Sequence, residues 1–171
     1  DVNAISKIAV NTHLAGAAGT VAGAAITRLL GGKTDVIMML NGALAGLVAI
    51  TAEPLTPSPT LAMFIGAVGA IIMYFGTKML ESFGLDDVVG AIPVHMFAGI
   101  FGTLVVPLSN SDTSFGTQFV GVISVVVFSF LLSYGTFSAL KATVGLRISK
   151  EAERLGTDKA EVGVVAYSIR D

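Results

Sequence analysis

Residues 119–140 read FVGVISVVVFSFLLSYGTFSAL, a stretch without a single charged side chain. A helix that crosses the hydrocarbon core of a bilayer needs about 20 mostly apolar residues, and this stretch meets that length. A membrane β-barrel would instead show alternating segments of about 10 residues. The run VISVVVFSFLL at 122–132 does not alternate. The fold decided by this stretch is therefore helical and lies in lipid.

Four further stretches extend the pattern towards the N-terminus: 8–30, 36–52, 61–80 and 88–108. The second is close to the short limit for a span, and the fourth carries Pro93 and several glycines. Turn-forming sequences separate them: GGKTD after the first, EPLTPSP after the second and SNSDTS after the fourth. The fold class expected is an all-α membrane protein, a polytopic bundle of about five transmembrane helices over residues 1–140. A tail runs on from Lys141 to Asp171.

Composition supports this reading. The chain has 171 residues, of which 53% are hydrophobic and 13% charged, and its mean hydropathy is +0.82. Soluble domains carry about 25% charged residues, so a water-facing surface of this size is excluded, and most soluble enzymes with it. A net charge of −2 offers no basic field for nucleic acid. The absence of cysteine removes disulfide scaffolds and thiolate metal sites. Neither a P-loop nor a dinucleotide fingerprint occurs, and two distant histidines make no metal constellation. No nucleophile–base pair can be identified. We expect no enzyme activity, no cofactor and no metal. The chain opens at Asp1, its first methionine is Met38, and no signal peptide is visible. The expectation is a processed chain or a piece of a longer polypeptide.

Basic residues favour cytoplasmic loops, and their distribution orients the bundle. Arg28, Lys33, Lys78, Lys141, Arg147, Lys150, Arg154, Lys159 and Arg170 all fall on one side of an alternating topology, and only Lys7 falls on the other. The N-terminus is expected outside and the tail in the cytoplasm, in a cell (plasma or inner) membrane. Glycines recur at helical spacing, as Gly19 with Gly23, Gly42 with Gly46, and Gly99 with Gly102. Such pairs let helices approach closely in lipid, where packing replaces the hydrophobic effect.

The polar residues inside the spans are the candidates for function. Eight residues at about 1.5 Å each place His95 about 12 Å beyond Asp87, near the middle of a core about 30 Å thick. Ionisable groups at that depth usually face a bundle interior or a pathway, and a neutral imidazole both donates and accepts hydrogen bonds. Pro93 precedes it by two residues, and interrupted helices often build transport sites. Asp86 and Asp87 suit a helix N-terminus through the macrodipole. His13 reads first as an interhelical hydrogen bond near the interface and second as another pathway histidine. Asn11, Thr12, Asn41 and Thr51 read as interhelical bonds too, and Glu53 as a solvated group at the end of a span.

Several motifs resemble one known family. NTHLAGAAG at 11–19, LNGALAGLVAITA at 40–52 and LDDVVGAIPVHMFAGIFGTL at 85–104 are similar to segments of the ammonium transporter (Amt/Rh) family. The tail VGLRISKEAERLGTD at 144–158, followed by AEVGVVAY, resembles that family's cytoplasmic end. The resemblance implies the seventh to eleventh helices of an eleven-helix protein, assembled as a homotrimer in the lipid bilayer with one narrow hydrophobic pore per subunit. It implies ammonium or ammonia as substrate, with His95 as the second of two stacked pore histidines. Asp86 and Asp87 match the family's acidic pair, and Thr51 a threonine of the eighth helix. The resemblance also implies a PII-type signal protein as a partner of the tail in many members. The sequence departs from the family at Gly90, often acidic elsewhere, and at Met96, commonly glycine. His13 stands where asparagine is frequent, and Val162 and Val165 replace a histidine and an acidic residue. These tail changes motivate the alternative of an ammonium sensor or non-conducting regulatory subunit. A further alternative takes the chain as an incomplete bundle that needs a partner.

Overall fold

The structure is a computed structural model that describes residues 1–166, so Arg170 and the end of the tail motif at Tyr167 lie outside the described residues. It is helical, with no strand among the described residues. The chain divides into two compact units, Asp1–Ser124 and the part from Val125 onward.

The first unit opens with α1 (Val2–Gly31), which Asp1 caps by accepting from the Asn3 N–H. Gly32, in the left-handed conformation (φ 73°), ends it, as glycine commonly does past a helix C-terminus. A short turn leads to α2 (Val36–Ile50), whose N-cap Asp35 accepts from the Met38 N–H at 3.0 Å. α2 stops two residues before the Ala52 expected from composition. Pro54 offers no N–H, the residue before a proline avoids helical geometry, and the Glu53 N–H turns back to the Ile50 carbonyl. α3 (Pro59–Ser82) starts with Ser58 as N-cap and a proline in its first turn, a position that suits proline.

The fourth span runs from Ile92 to Leu108 in three pieces. A π-helical turn (Ile92–Phe97) leads into α4 (Ala98–Leu104), and a single 3₁₀ turn (Val106–Leu108) ends it. Next in the chain is α5 (Phe115–Thr143). Three helices, α1, α3 and α5, are long and apolar enough to cross a membrane. α2, at 15 residues, is about 23 Å long, and it and the fourth span are the shorter apolar helices.

Backbone contact holds α1, α2 and α3 together. A Cβ placed on Gly42 would lie 2.6 Å from the Gly19 carbonyl oxygen and 3.2 Å from the Gly23 Cα. Reciprocally, a Cβ on Gly19 would be driven into the Gly42 carbonyl, and one on Gly46 or Gly66 into that of Ala15. Gly102 closes on the Ala49 carbonyl in the same way. Around this seam Ala15, Ala49, Ile50, Ala62 and Ile65 form one buried cluster, and Ala45, Met73, Val94 and Ala98 a second.

In the second unit the rest of α5 leads to α6 (Lys150–Leu155), capped by Ser149, and then to a π-helical turn (Asp158–Val162). The Asp158 carboxylate accepts the Ala166 N–H at 3.0 Å. That bond, with the Lys159 N–H, holds its pKa below the ordinary carboxylate value.

Candidate functional site

The approach to the fourth span is built around Asp87. Its two carboxylate oxygens accept the Ala91 and Ile92 N–H groups at 2.9 and 2.8 Å, and its carbonyl accepts the Gly90 N–H at 3.1 Å. Two donors at the start of a helix are thereby satisfied by one anion. Gly90 takes φ 73°, so the chain makes its sharp turn there and the helix begins immediately afterwards. Pro93 consequently falls in the first turn, where its missing N–H interrupts nothing. The expectation of a helix from residue 88 that Pro93 interrupts is corrected by this geometry.

The same geometry sets the level of His95. Its neighbour Val94 is 1% exposed and packs in one cluster with Ala45 and Met73. Ala45 lies nine residues into α2, about 14 Å from that helix's start. Residues 84–90 are therefore not a loop lying wholly beyond the helices. Asn41, in the second turn of α2, donates from Nδ2 to the Val89 carbonyl at 3.0 Å, which places the turn alongside α2. The fourth span thus begins inside the bundle's length, as a shortened helix. The turn itself is largely exposed, and Asn41 and Asp87 give its backbone side-chain partners.

Within the π-helical turn, Pro93 and Val94 are buried while His95 and Met96 are exposed. Gly76 makes room for the Phe97 ring, which a Cβ at that position would strike. π-helical turns are rare and occur often at functional sites. Here the turn presents an imidazole, able to donate and accept hydrogen bonds, on a side of the chain that this unit leaves uncovered.

The other residues singled out from the sequence take varied places. Asp86 is exposed, next to Asp87. The Thr51 hydroxyl donates to the Leu47 carbonyl of its own helix, in place of the interhelical bond expected of it. His13 is exposed, and its Nδ1 lies 2.7 Å from the Ala9 carbonyl oxygen, again within one helix. Asn11 does cross between elements. It is fully buried and donates to the Pro54 and Pro57 carbonyls, each at 2.9 Å. Glu53 is not simply solvated. It accepts the Leu55 and Thr56 N–H groups and the Asn110 side-chain amide at 3.0–3.2 Å. Beside it, the Thr56 and Ser109 hydroxyls pair at 2.9 Å. Glu53 thereby fastens the α2–α3 loop to the far end of the fourth span. His13 and His95 are on different elements and share no described contact.

A cavity of about 280 Å³ opens at the end of the unit that carries the α1–α2 turn, lined in part by Thr27, Lys33, Asp35, Tyr74 and Lys78. It includes none of the candidate site residues. Among the described residues no three His, Asp or Glu side chains are grouped to hold a metal.

Residues 1–167 match the Ammonium Transporter Family. The chain is 43% identical over 185 aligned residues to ammonium transporter Amt2 of Archaeoglobus fulgidus, covering 95% of this chain and 39% of that protein. It is 35% identical to ammonium transporter Amt1 of Haloferax mediterranei, covering 96% of this chain and 33% of the relative. Among solved structures, a Sensor Amt Protein superposes with a TM-score of 0.85 at 31% identity, over 92% of this chain and 42% of that one. The chain thus spans about two fifths or less of the curated relatives it matches, and these are named as transporters, not as enzymes. With its apolar helices and packed glycine seam, this multi-pass membrane chain belongs to the ammonium transporter family.

Proposed function

We propose that the chain forms part of an ammonium-conducting pathway in which His95 lines the route taken by ammonia. The observation that carries this reading is the position of His95. It sits about halfway along the neighbouring helices, on a π-helical turn, with Val94 buried behind it and its own side chain uncovered. An ionisable group at that depth belongs in a bundle interior or a pathway. Here the interior is completed by protein beyond this chain.

In the proposed mechanism ammonium is recruited on the outer side and deprotonated. Ammonia then passes His95 and a second histidine supplied outside these 171 residues, while the proton crosses by a coupled route. The imidazole accepts a hydrogen bond from ammonia or donates one to it without leaving its place. Asp87 supports the site by fixing the start of the helix, and Pro93 by occupying its first turn. Asp86, next to Asp87, and Thr51 are proposed as further structural support of the pore, and His13 as a second polar site. The complete protein is proposed to be a homotrimer with the tail in the cytoplasm; this orientation is supported by nine of the ten basic residues falling on one side of an alternating topology. A PII-type partner would meet that tail, with Val162 and Val165 altering its recognition. Transport is preferred over sensing because the curated relatives are named as transporters.

The test is methylammonium uptake by the complete polypeptide reconstituted in liposomes. His95→Ala is expected to abolish or alter uptake while the protein remains folded in the membrane. Unchanged uptake and selectivity in that variant overturn the assignment.

A further inference from the structure

We infer that Asn41 is a positioning residue for His95, acting as the tether that holds the turn before the fourth span alongside α2. The inference rests on the pathway role proposed for His95 and extends it to a residue on a different helix.

Three observations converge on this pair of elements. The first is the hydrogen bond from Asn41 Nδ2 to the Val89 carbonyl at 3.0 Å, which joins residues 48 positions apart. The second is steric. A Cβ on Gly90 would lie 2.7 Å from Asn41 Nδ2, so the Asn41 amide packs directly against the turn as well as bonding to it. Gly90 also holds φ 73°, a conformation that side chains with a Cβ adopt only at a cost. The third is the next bond along the chain. The Gly90 carbonyl accepts the Val94 N–H at 3.1 Å, which sets the winding of the turn carrying His95. Asn41 thus grips the peptide immediately before the one that starts the helix.

Asn41 and Asp87 do different work. Asp87 satisfies N–H groups within its own segment and so determines where the helix starts in sequence. Its described bonds reach no other helix. Asn41 fixes where that start lies along α2. Without it, the exposed turn at Val89 loses its described bond to α2. The turn is then free to shift along α2, drawing the first turn of the helix with it. Val94 resists by its burial, but His95 is held by no burial of its own and moves with the backbone.

The experiment measures methylammonium uptake per folded copy in the complete protein, with the folded fraction counted by gel filtration. Asn41→Asp keeps the shape and replaces the donor with an acceptor facing Val89. It is expected to lower the turnover of each folded copy about three- to tenfold, the equivalent of one lost hydrogen bond. Gly90→Ala, which pushes on the same amide, is expected to lower it too. A merely structural role would change the number of folded copies and leave the turnover of each unchanged. Wild-type turnover in Asn41→Asp alongside lowered turnover in His95→Ala overturns the tether while sparing the pathway reading. Wild-type turnover in both overturns the pathway reading and the tether with it. If Asn41→Asp does not accumulate as folded protein, Asn41→Ala and Gly90→Ala carry the same two outcomes.

Discussion

Replacing Gly42 by alanine tests how α1 and α2 are joined. The added Cβ would meet the Gly19 carbonyl oxygen at 2.6 Å, about 0.8 Å inside the 3.4 Å at which ordinary contact begins. The opposing atom is backbone, with no side chain to rotate away, so the helices must separate by most of that distance. A gap of 0.5–1 Å forfeits about a quarter to a half of the dispersion energy of each atom pair. The loss is spread over a seam that includes Ala15, Gly19, Gly23 and Gly46. Overpacking of a close contact costs about 1–3 kcal/mol, and we expect the upper part of that range. Alanine also favours a helix over glycine by about 1 kcal/mol, which masks part of the effect. Gly99→Ala corrects for this, because its Cβ would meet only Val48 Cγ1, at an ordinary 3.5 Å. Unfolding in mixed micelles, read by circular dichroism, should separate the two variants by about 2 kcal/mol, with Gly99→Ala neutral or stabilised. Equal stability in both would refute the claim that backbone contact at Gly42 holds the seam.

Two further predictions concern polar groups. Asp87→Ala leaves the Ala91 and Ile92 N–H groups without their acceptor, and loss of a helix cap costs about 0.5–2 kcal/mol; faster amide hydrogen exchange across residues 88–94, with α1 unchanged, is the expected signature. Asn11→Asp sets a buried carboxyl against the Pro54 and Pro57 carbonyls, whereas Asn11→Leu only removes their donor. Both should lower the unfolding temperature, the aspartate more, because an unpaired buried charge costs more than an unsatisfied carbonyl.

The number of apolar segments and the glycine pairs were legible in the sequence, because length, hydropathy and helical spacing are local properties. What escaped is what depends on partners far away in the chain. Glu53 ends an apolar run and reads as solvated, but Asn110, 57 positions on, gives it a place. Pro93 reads as an interruption because the apolar run gives no sign that Gly90 and Asp87 delay the helix until just before it, which puts the proline in the first turn. His13 and Thr51 find their acceptors four residues back on their own helices, an outlet open to such side chains in any helix. Of the site, His95 stood out by its type and depth alone. Asn41 reads as an interhelical bond, but an asparagine near a helix start carries no sign of which turn it will hold.

α5 has no buried residue among its 29, and its hydroxyls at Ser124, Thr136 and Thr143 donate to carbonyls of its own backbone. A helix in lipid is told which way to turn by a side that differs in polarity or by a polar group in search of a partner. Three of α5's hydroxyls are spent on its own backbone, which leaves Ser129, Ser133, Tyr134 and Ser138 as the few polar groups that can give it a rotational address. Its angle about its own axis is read from those groups and from contour, by whatever surface comes to lie against it. Exchanges among valine, leucine and phenylalanine that reshape that contour can re-aim the helix, and with it the direction in which the tail departs.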